Sequence, residues 1–355
     1  EVSIMLLEKT IEGIRELDRE AMEKACEHQK NLIKPFGSLG LLEDVAVKIA
    51  GITGQLSPDL AKKAVITCAG DHGVAAKGVS AAEQEVTLQM LRGMLNGGAA
   101  INVLSRHVGA EVICVDLGVV KQVDDPRLVV KRVGPGTADL SEGPAMTREQ
   151  AKAAVEGGIE AAVEQIDKGA QILATGDLGI GNTTPSSAVL AAFTGFPADL
   201  IIGKGTGIKS EALKRKISAV EQAIKVNKPD SRDGLDVLAK VGGFEIGGIA
   251  GVILGAASRG VPVVIDGFIS GAGAMIAKAL APQSVDYMIA SHLSEEPGHK
   301  IMLTWLGLKP MLHMNMRLGE GTGAVLAFNL IDAALKIVRE MATFDSAGVS
   351  DAGLR

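Results

Sequence analysis

Apolar residues in the first 28 positions fall near helical spacing, with Ile4, Leu7, Ile11, Ile14, Leu17 and Met22 separated by charged residues. That pattern predicts an amphipathic helix from Glu1 to about His28, built to pack rather than to catalyse. From Lys63 onward the texture changes. Short aliphatic runs alternate with longer helical patterns, the signature of βαβ units and a mainly parallel sheet. The runs that read as strands are Ala64–Ala69, Glu111–Asp116, Ala170–Ala174, Leu200–Ile202, Val261–Ile265, Tyr287–Ala290 and Met311–Met314. Their near-continuous apolarity suits strands covered on both faces. Ser80 with Glu83, and Thr147 with Gln150, have capping-box spacing and each opens a segment with helical periodicity. A linker is expected near Gly134-Pro135-Gly136.

The tails of the runs matter more than the runs, because ligands of open α/β sheets bind beyond the carboxyl ends of the strands. Polar and glycine residues gather there: Gly70-Asp71-His72-Gly73, Asp116-Leu117-Gly118, the long tail from Thr175 to Thr184, Gly203-Lys204-Gly205-Thr206-Gly207, Asp266-Gly267, Ser291-His292 and Arg317 to Gly323. The pattern GxGTG occurs twice, at Gly203–Gly207 and Gly319–Gly323. Such tails can serve as tight turns or as cradles whose backbone N–H groups meet phosphate oxygens, with Thr183, Thr184 and Pro185 as one helix opening of this kind.

Composition narrows the class. The 355 residues carry 36 Lys and Arg against 42 Asp and Glu, a formal charge of −6, which speaks against a nucleic-acid partner. With 47% hydrophobic and 22% charged residues, the chain folds rather than remaining disordered. Glycine is abundant, at 44, while aromatics are limited to seven Phe, one Trp and one Tyr, a balance that favours α/β packing over a β-sandwich. Cys26, Cys68 and Cys114 show neither CxxC spacing nor an even count, so a reducing cytoplasm is the expected setting. No secretory pattern and no apolar run of roughly 18 residues is present, so no membrane partner is expected.

Several residues are candidates for chemistry. Glu320 stands between Gly319 and Gly321, where small neighbours leave a carboxylate open to a ligand as general base; a solvated loop acid is the competing reading. Asp71, Asp116, Asp177 and Asp266 end strands and could hold ribose hydroxyls, cap helices or bind a cation. Lys204, Lys214 and Lys216 could neutralise a phosphate or form a solvated helix face. His72, His292, His299 and His313 lack compact ligand spacing, so no metal is expected. Met311, Met314 and Met316 read as core filling. No GxxxxGK[ST] exists and no candidate strand is followed by a full GxGxxG, so ATP-driven and dinucleotide-dependent readings weaken.

Taken together, the strings Lys34 to Gly40, Gly70 to Val74, Gly78-Val79-Ser80 with Glu85-Val86-Thr87 and Gln89, Gly97 to Asn102, Gly179 to Thr184, Asp266-Gly267-Phe268, Ser291-His292 with Glu296 to His299, and Leu318 to Gly323 resemble the nicotinate-nucleotide:dimethylbenzimidazole phosphoribosyltransferase family. The resemblance runs over nearly the whole chain. It implies transfer of the phosphoribosyl group of nicotinate mononucleotide to an aromatic acceptor for the cobamide lower ligand, without a cofactor. Glu320 would be the base. Gly176, Gly203, Gly205, Thr206, Gly207, Lys216 and Ser291 would surround the mononucleotide, with Asp177, Asp266 and Gly319 beside them, and Ser80 and Gln89 would border the acceptor. Asp177 is a departure, because relatives usually carry Glu there, which leaves acceptor choice open; some relatives use phenol or p-cresol and work as paired paralogues. The implied fold is a Rossmann-like, mainly parallel sheet flanked by helices over 63–322, plus a small helical domain from 1–62 and 323–355, usually dimeric. The segment Gly323–Met341 has the apolar spacing of a helix for that second unit. A nucleotide-dependent oxidoreductase and a non-catalytic nucleotide-binding subunit are the competing functions.

Overall fold

The computed structural model describes residues 6–203 and 210–350. Six parallel strands form one sheet: β1 (Lys63–Gly70), β2 (Ala110–Gly118), β3 (Val129–Val130), β4 (Ile172–Leu178), β5 (Val263–Ile265) and β6 (Met288–Ala290), in the order β3-β2-β1-β4-β5-β6. Before the sheet come α1 (Leu6–Glu12), α2 (Arg19–Asn31) and α3 (Leu41–Thr53). Between β1 and β4 lie α4 (Glu85–Leu95), α5 (Ala100–Val108) and α6 (Arg148–Asp167). The second half adds α7 (Thr183–Thr194), α8 (Ala198–Ile201), α9 (Ser210–Asn227), α10 (Gly234–Val241), α11 (Phe244–Ser258), α12 (Phe268–Leu280), α13 (Pro297–Leu306), α14 (Thr322–Glu340) and α15 (Phe344–Ala347).

Alternation along the strands feeds two cores. Ala64, Ile66 and Cys68 of β1 face a layer with α6, α11 and α12, while Val65 and Ala69 face a layer with α4, α5 and α14. Both faces are therefore dry, which is why the strands read as unbroken apolar runs. Part of the glycine content is explained by α6 and α11, which touch backbone to backbone. A Cβ on Gly158 would overlap the carbonyl of Gly248, and one on Gly251 the carbonyl of Val155.

Four expectations are corrected. The N-terminal helix is interrupted after Glu12, where Gly13 closes α1 and Asp18 starts α2 by accepting from the Ala21 amide. Leu200–Ile202 is no strand: Pro197 precedes a single helical turn, closed by the Ile202 amide on the Ala198 carbonyl. Met311–Met314 contributes only a bridge between Leu312 and His292, and Met314 is exposed rather than core filling. Ser80 accepts from the nearby Ala82 amide in a turn instead of capping a helix, and α4 begins only at Glu85. The Thr147–Gln150 capping box does form at the start of α6. β3, two residues long, carried no pattern to predict it. Gly134-Pro135-Gly136 returns the chain from β3 to β1, with the Val133 amide on the Leu117 carbonyl and the Thr137 amide on that of Asp71.

Because the α6–α11 seam has no room for a methyl group, Gly251→Ala is expected to lower stability by about 1–3 kcal/mol or more. Urea unfolding of the full chain, followed by circular dichroism, reads this directly.

Candidate active site

β1 leads towards β2 on one side of the sheet and β4 towards β5 on the other, so β1 and β4 flank the topological switch point. Thr67 of β1 and Gly176 of β4 are register partners there. Glu320 lies across that pair. Its carbonyl accepts from the Thr67 hydroxyl at 3.0 Å, and a Cβ on Gly176 would overlap the same carbonyl. Gly176 is thus needed where Glu320 crosses the strand end.

Asp266, just beyond β5, fixes the loop. Its Oδ1 accepts from the amides of Gly323 at 2.8 Å and Ala324 at 3.0 Å, and its Oδ2 from Gly321 at 3.2 Å. These are the orphan N–H groups at the start of α14, which a carboxylate satisfies and which the helix dipole favours. Gly319, Glu320 and Gly321 all have positive φ, at 85°, 63° and 98°. For Glu320 that conformation is strained, and neighbouring contacts must hold it. The Ser291 hydroxyl lies 3.1 Å from the Asp266 carbonyl and 3.0 Å from His292 Nδ1, so this candidate steadies the Asp266 turn.

The Glu320 side chain is 5% exposed and its Oε2 accepts from the Ile101 amide at 3.1 Å, in the first turn of α5. Burial lifts its carboxyl above the ordinary range, the Ile101 amide opposes the lift, and nearby Asp266 adds to it. Asp177 ends β4 as a second buried acid. Its Oδ2 accepts from Asn182 Nδ2 at 2.8 Å, whereas Oδ1 has no partner. Burial, reinforced by the charge of Asp266, pushes its pKa up to about 8, so the carboxyl is protonated at neutral pH and its free oxygen is able to donate. Burial likewise raises Asp266, against the pull of His292 and the three amides.

Asp177, Asn182, Thr183, His292, Glu296 and Arg317 line one cavity, next to Gly319. Lys216 of α9 is buried rather than on a solvated face. Its Nζ donates to the Thr183 hydroxyl at 2.8 Å at the opening of α7 and lies 3.4 Å from the Gly203 carbonyl. Burial depresses its pKa to about 8, with Glu296 opposing. Lys214 is exposed. Lys204, Gly205, Thr206 and Gly207 lie outside the described residues. Ser80 and Gln89 stand on the β1 side: the turn before Ser80 packs on Gly181, through Ala75 and Val79, and Gln89 is exposed on α4, two residues after Thr87, whose hydroxyl accepts from the Ile180 amide. Asp71 and Asp116 are structural, accepting from the amides of Val120 and Val119. Thr67 and the Ile101 amide, which orient Glu320, were not singled out in the sequence; a lone hydroxyl inside an apolar strand is the trace that Thr67 leaves.

A buried glutamate and a buried aspartate with raised proton affinity, a buried lysine and glycine-bound loops meet at the switch point of the sheet, where α/β folds of this kind hold ligands. Comparison with known proteins agrees. A phosphoribosyltransferase family model matches residues 14–349, and the chain belongs to this family. The nicotinate-nucleotide–dimethylbenzimidazole phosphoribosyltransferase of Chloroflexus aggregans is 58% identical over 347 residues, 98% of each chain. That of a Roseiflexus species is 58% identical over 346 residues, covering 97% of this chain and 98% of the relative. The crystal structure of the Thermus thermophilus enzyme of that name superposes with a TM-score of 0.90 at 46% identity, over 95% of this chain and 100% of the other.

Asp266→Ala removes both oxygens that accept the three amide hydrogen bonds at the start of α14 and is expected to cost about 2–4 kcal/mol of stability. In transferase assays the displaced loop should lower turnover by ~100-fold, while Asp116→Asn, changed at a structural carboxylate away from the cavity, should stay within a few-fold.

Proposed function

We propose that the protein transfers the phosphoribosyl group of nicotinate mononucleotide to dimethylbenzimidazole or a similar aromatic base, giving an α-ribotide and nicotinate for the cobamide lower ligand. The observation that carries this reading is Glu320: a carboxylate with raised proton affinity, held at the switch point by three separate elements, in a chain 58% identical to enzymes of that name.

In the proposed reaction the acceptor nitrogen attacks C1′ of the ribose from the face opposite the pyridinium. The C1′–N bond to nicotinate breaks and its electron pair neutralises the ring, so the leaving group needs no proton. The acceptor loses its N–H proton to Glu320. The protein's task is then alignment, removal of one proton and support of an oxocarbenium-like state. Gly176, Asp177, Gly203, Lys216, Asp266, Ser291 and Gly319 form the mononucleotide side, with Gly205, Thr206 and Gly207 completing it in the proposal; Ser80 and Gln89 form the acceptor side. Lys216 and Arg317 supply the positive charge for the phosphate, and protonated Asp177 donates to a substrate oxygen. Remote phosphate binding supports the alignment at C1′. The proposed working unit is a pair of subunits in the cytoplasm; among the described residues no helix is long and apolar enough to cross a membrane.

Incubation with nicotinate mononucleotide and a panel of dimethylbenzimidazole, adenine, phenol and p-cresol should release nicotinate and form a new ribotide with at least one acceptor. Glu320→Gln should reduce kcat by about 100-fold to 10,000-fold; unchanged turnover would remove Glu320 from the mechanism. A base works only when deprotonated, so activity should rise with pH through a value above the ordinary glutamate range, and Glu320→Gln should abolish that acid limb.

A further inference from the structure

The Gly70–Val74 string carries at its centre a histidine that the transfer reaction does not use. His72, just past β1, and Glu245, in the first turn of α11, are both fully buried, with Nε2 2.9 Å from Oε1. The two side chains are thus within ion-pair distance, and the remaining ring nitrogen and carboxylate oxygen have no other hydrogen-bond partner among the described residues. Burying such charges costs several kcal/mol per ion, and breaking one partner leaves the other uncompensated.

Three chain segments close on the pair, each through a glycine. A Cβ on Gly70 would lie 3.0 Å from Glu245 Oε2, one on Gly243 2.6 Å from the same oxygen, and one on Gly179 3.2 Å from His72 Nε2. Gly179 opens the β4 tail that carries Asn182 and Thr183. The His72 carbonyl also accepts from the Ala75 amide at 3.1 Å and from Gln84 Nε2 at 3.3 Å, bracketing the turn Gly73–Lys77 and Ser80. From Gln84 the chain enters α4, which Thr87 ties back to the Ile180 amide at 3.0 Å.

We propose that the buried His72–Glu245 pair is a positioning element for the acceptor half of the site: it ties the β1 tail to the start of α11, with Gly179 of the β4 tail packed against the imidazole, and so sets where segment 73–89, with Ser80 and Gln89, stands relative to Glu320. This inference rests on the transferase function proposed above. The titratable groups facing the imidazole are Glu245 from α11 and Asp71 just past β1; the Cys68 thiol of β1 and Asp177 of β4 interact in turn with Glu245. Burial opposes the charge on His72, but Glu245 and Asp71 outweigh it and raise its pKa above the ordinary imidazole value. The pair is therefore intact below that raised value and is lost as pH climbs through it.

Steady-state kinetics with nicotinate mononucleotide and dimethylbenzimidazole, alongside hydrogen exchange of the full chain, test the proposal. Glu245→Gln should raise the acceptor KM about tenfold or more and leave kcat and the mononucleotide KM within about threefold. Amide exchange should accelerate over 73–89 and 179–184 but not in the remaining strands. The wild-type acceptor KM should rise at alkaline pH, and the variant should lack that dependence. Should the single variant precipitate, His72→Gln combined with Glu245→Gln buries no charge and carries the same expectations. Exchange that is unchanged or uniformly faster, or equal losses in kcat and both KM values, would overturn the positioning role. If the wild type turns over no acceptor, the transferase reading fails instead, and the exchange comparison still decides whether the pair positions segment 73–89.

Discussion

The candidate site depends on one carboxylate whose work is structural. Asp266 comes from β5 yet caps α14, a helix more than fifty residues further on, because Gly321 at that helix start has no side chain of its own to satisfy the free amides. Through this contact a strand end dictates the backbone of the following loop. Thr67 on β1 and the bare face of Gly176 on β4 complete the grip. Glu320 is thus pinned by three strands at once, which is what a left-handed backbone at a glutamate requires, since such a conformation costs about 1–3 kcal/mol and persists only when its surroundings over-determine it.

The same crowding organises the charges. Asp177, Asp266 and Glu320 are all raised by burial; the charges of Asp266 and Glu320 make ionisation of Asp177 harder still, and Asp266 does the same for Glu320. Asp266 is compensated by amides and His292, Glu320 by the Ile101 amide alone, and Asp177 by one asparagine. Proton affinities are accordingly spread over neighbouring carboxyls, so one residue can accept a proton while another a few ångströms away still holds its own. Lys216 follows the complementary logic: a buried ammonium with depressed proton affinity is costly alone and gains most when an anion arrives.

Much of this was legible before any coordinates. Strands buried on both faces announce themselves as aliphatic runs, so β1, β2, β4, β5 and β6 appear with small boundary errors, and the glycine-rich tails follow their carboxyl ends. Misreadings share a cause. Leu200–Ile202 and Met311–Met314 are apolar and short, and periodicity cannot distinguish a strand from one helical turn or a covered loop. Ser80 and Glu83 have the spacing of a capping box, but the next helix starts two residues later and takes the hydroxyl's role away. Within the site, Glu320, Asp177, Asp266 and Ser291 stand together as their loop positions suggested. Thr67 and Ile101 escaped notice because their contribution is geometric, a hydroxyl and an amide that acquire meaning only when distant segments meet.

The parallel sheet also divides the labour of recognition along the chain. The cavity-lining residues are scattered along the chain from Asp177 to Gly319, whereas Gly73–Gln89, which meets the β4 tail at Ile180 and Gly181, is one continuous stretch. A change in the first group disturbs several elements together; a change in the second is local. Such modularity lets a lineage rewrite one short block while inheriting the scattered loops intact, so divergence among related chains should concentrate in that block.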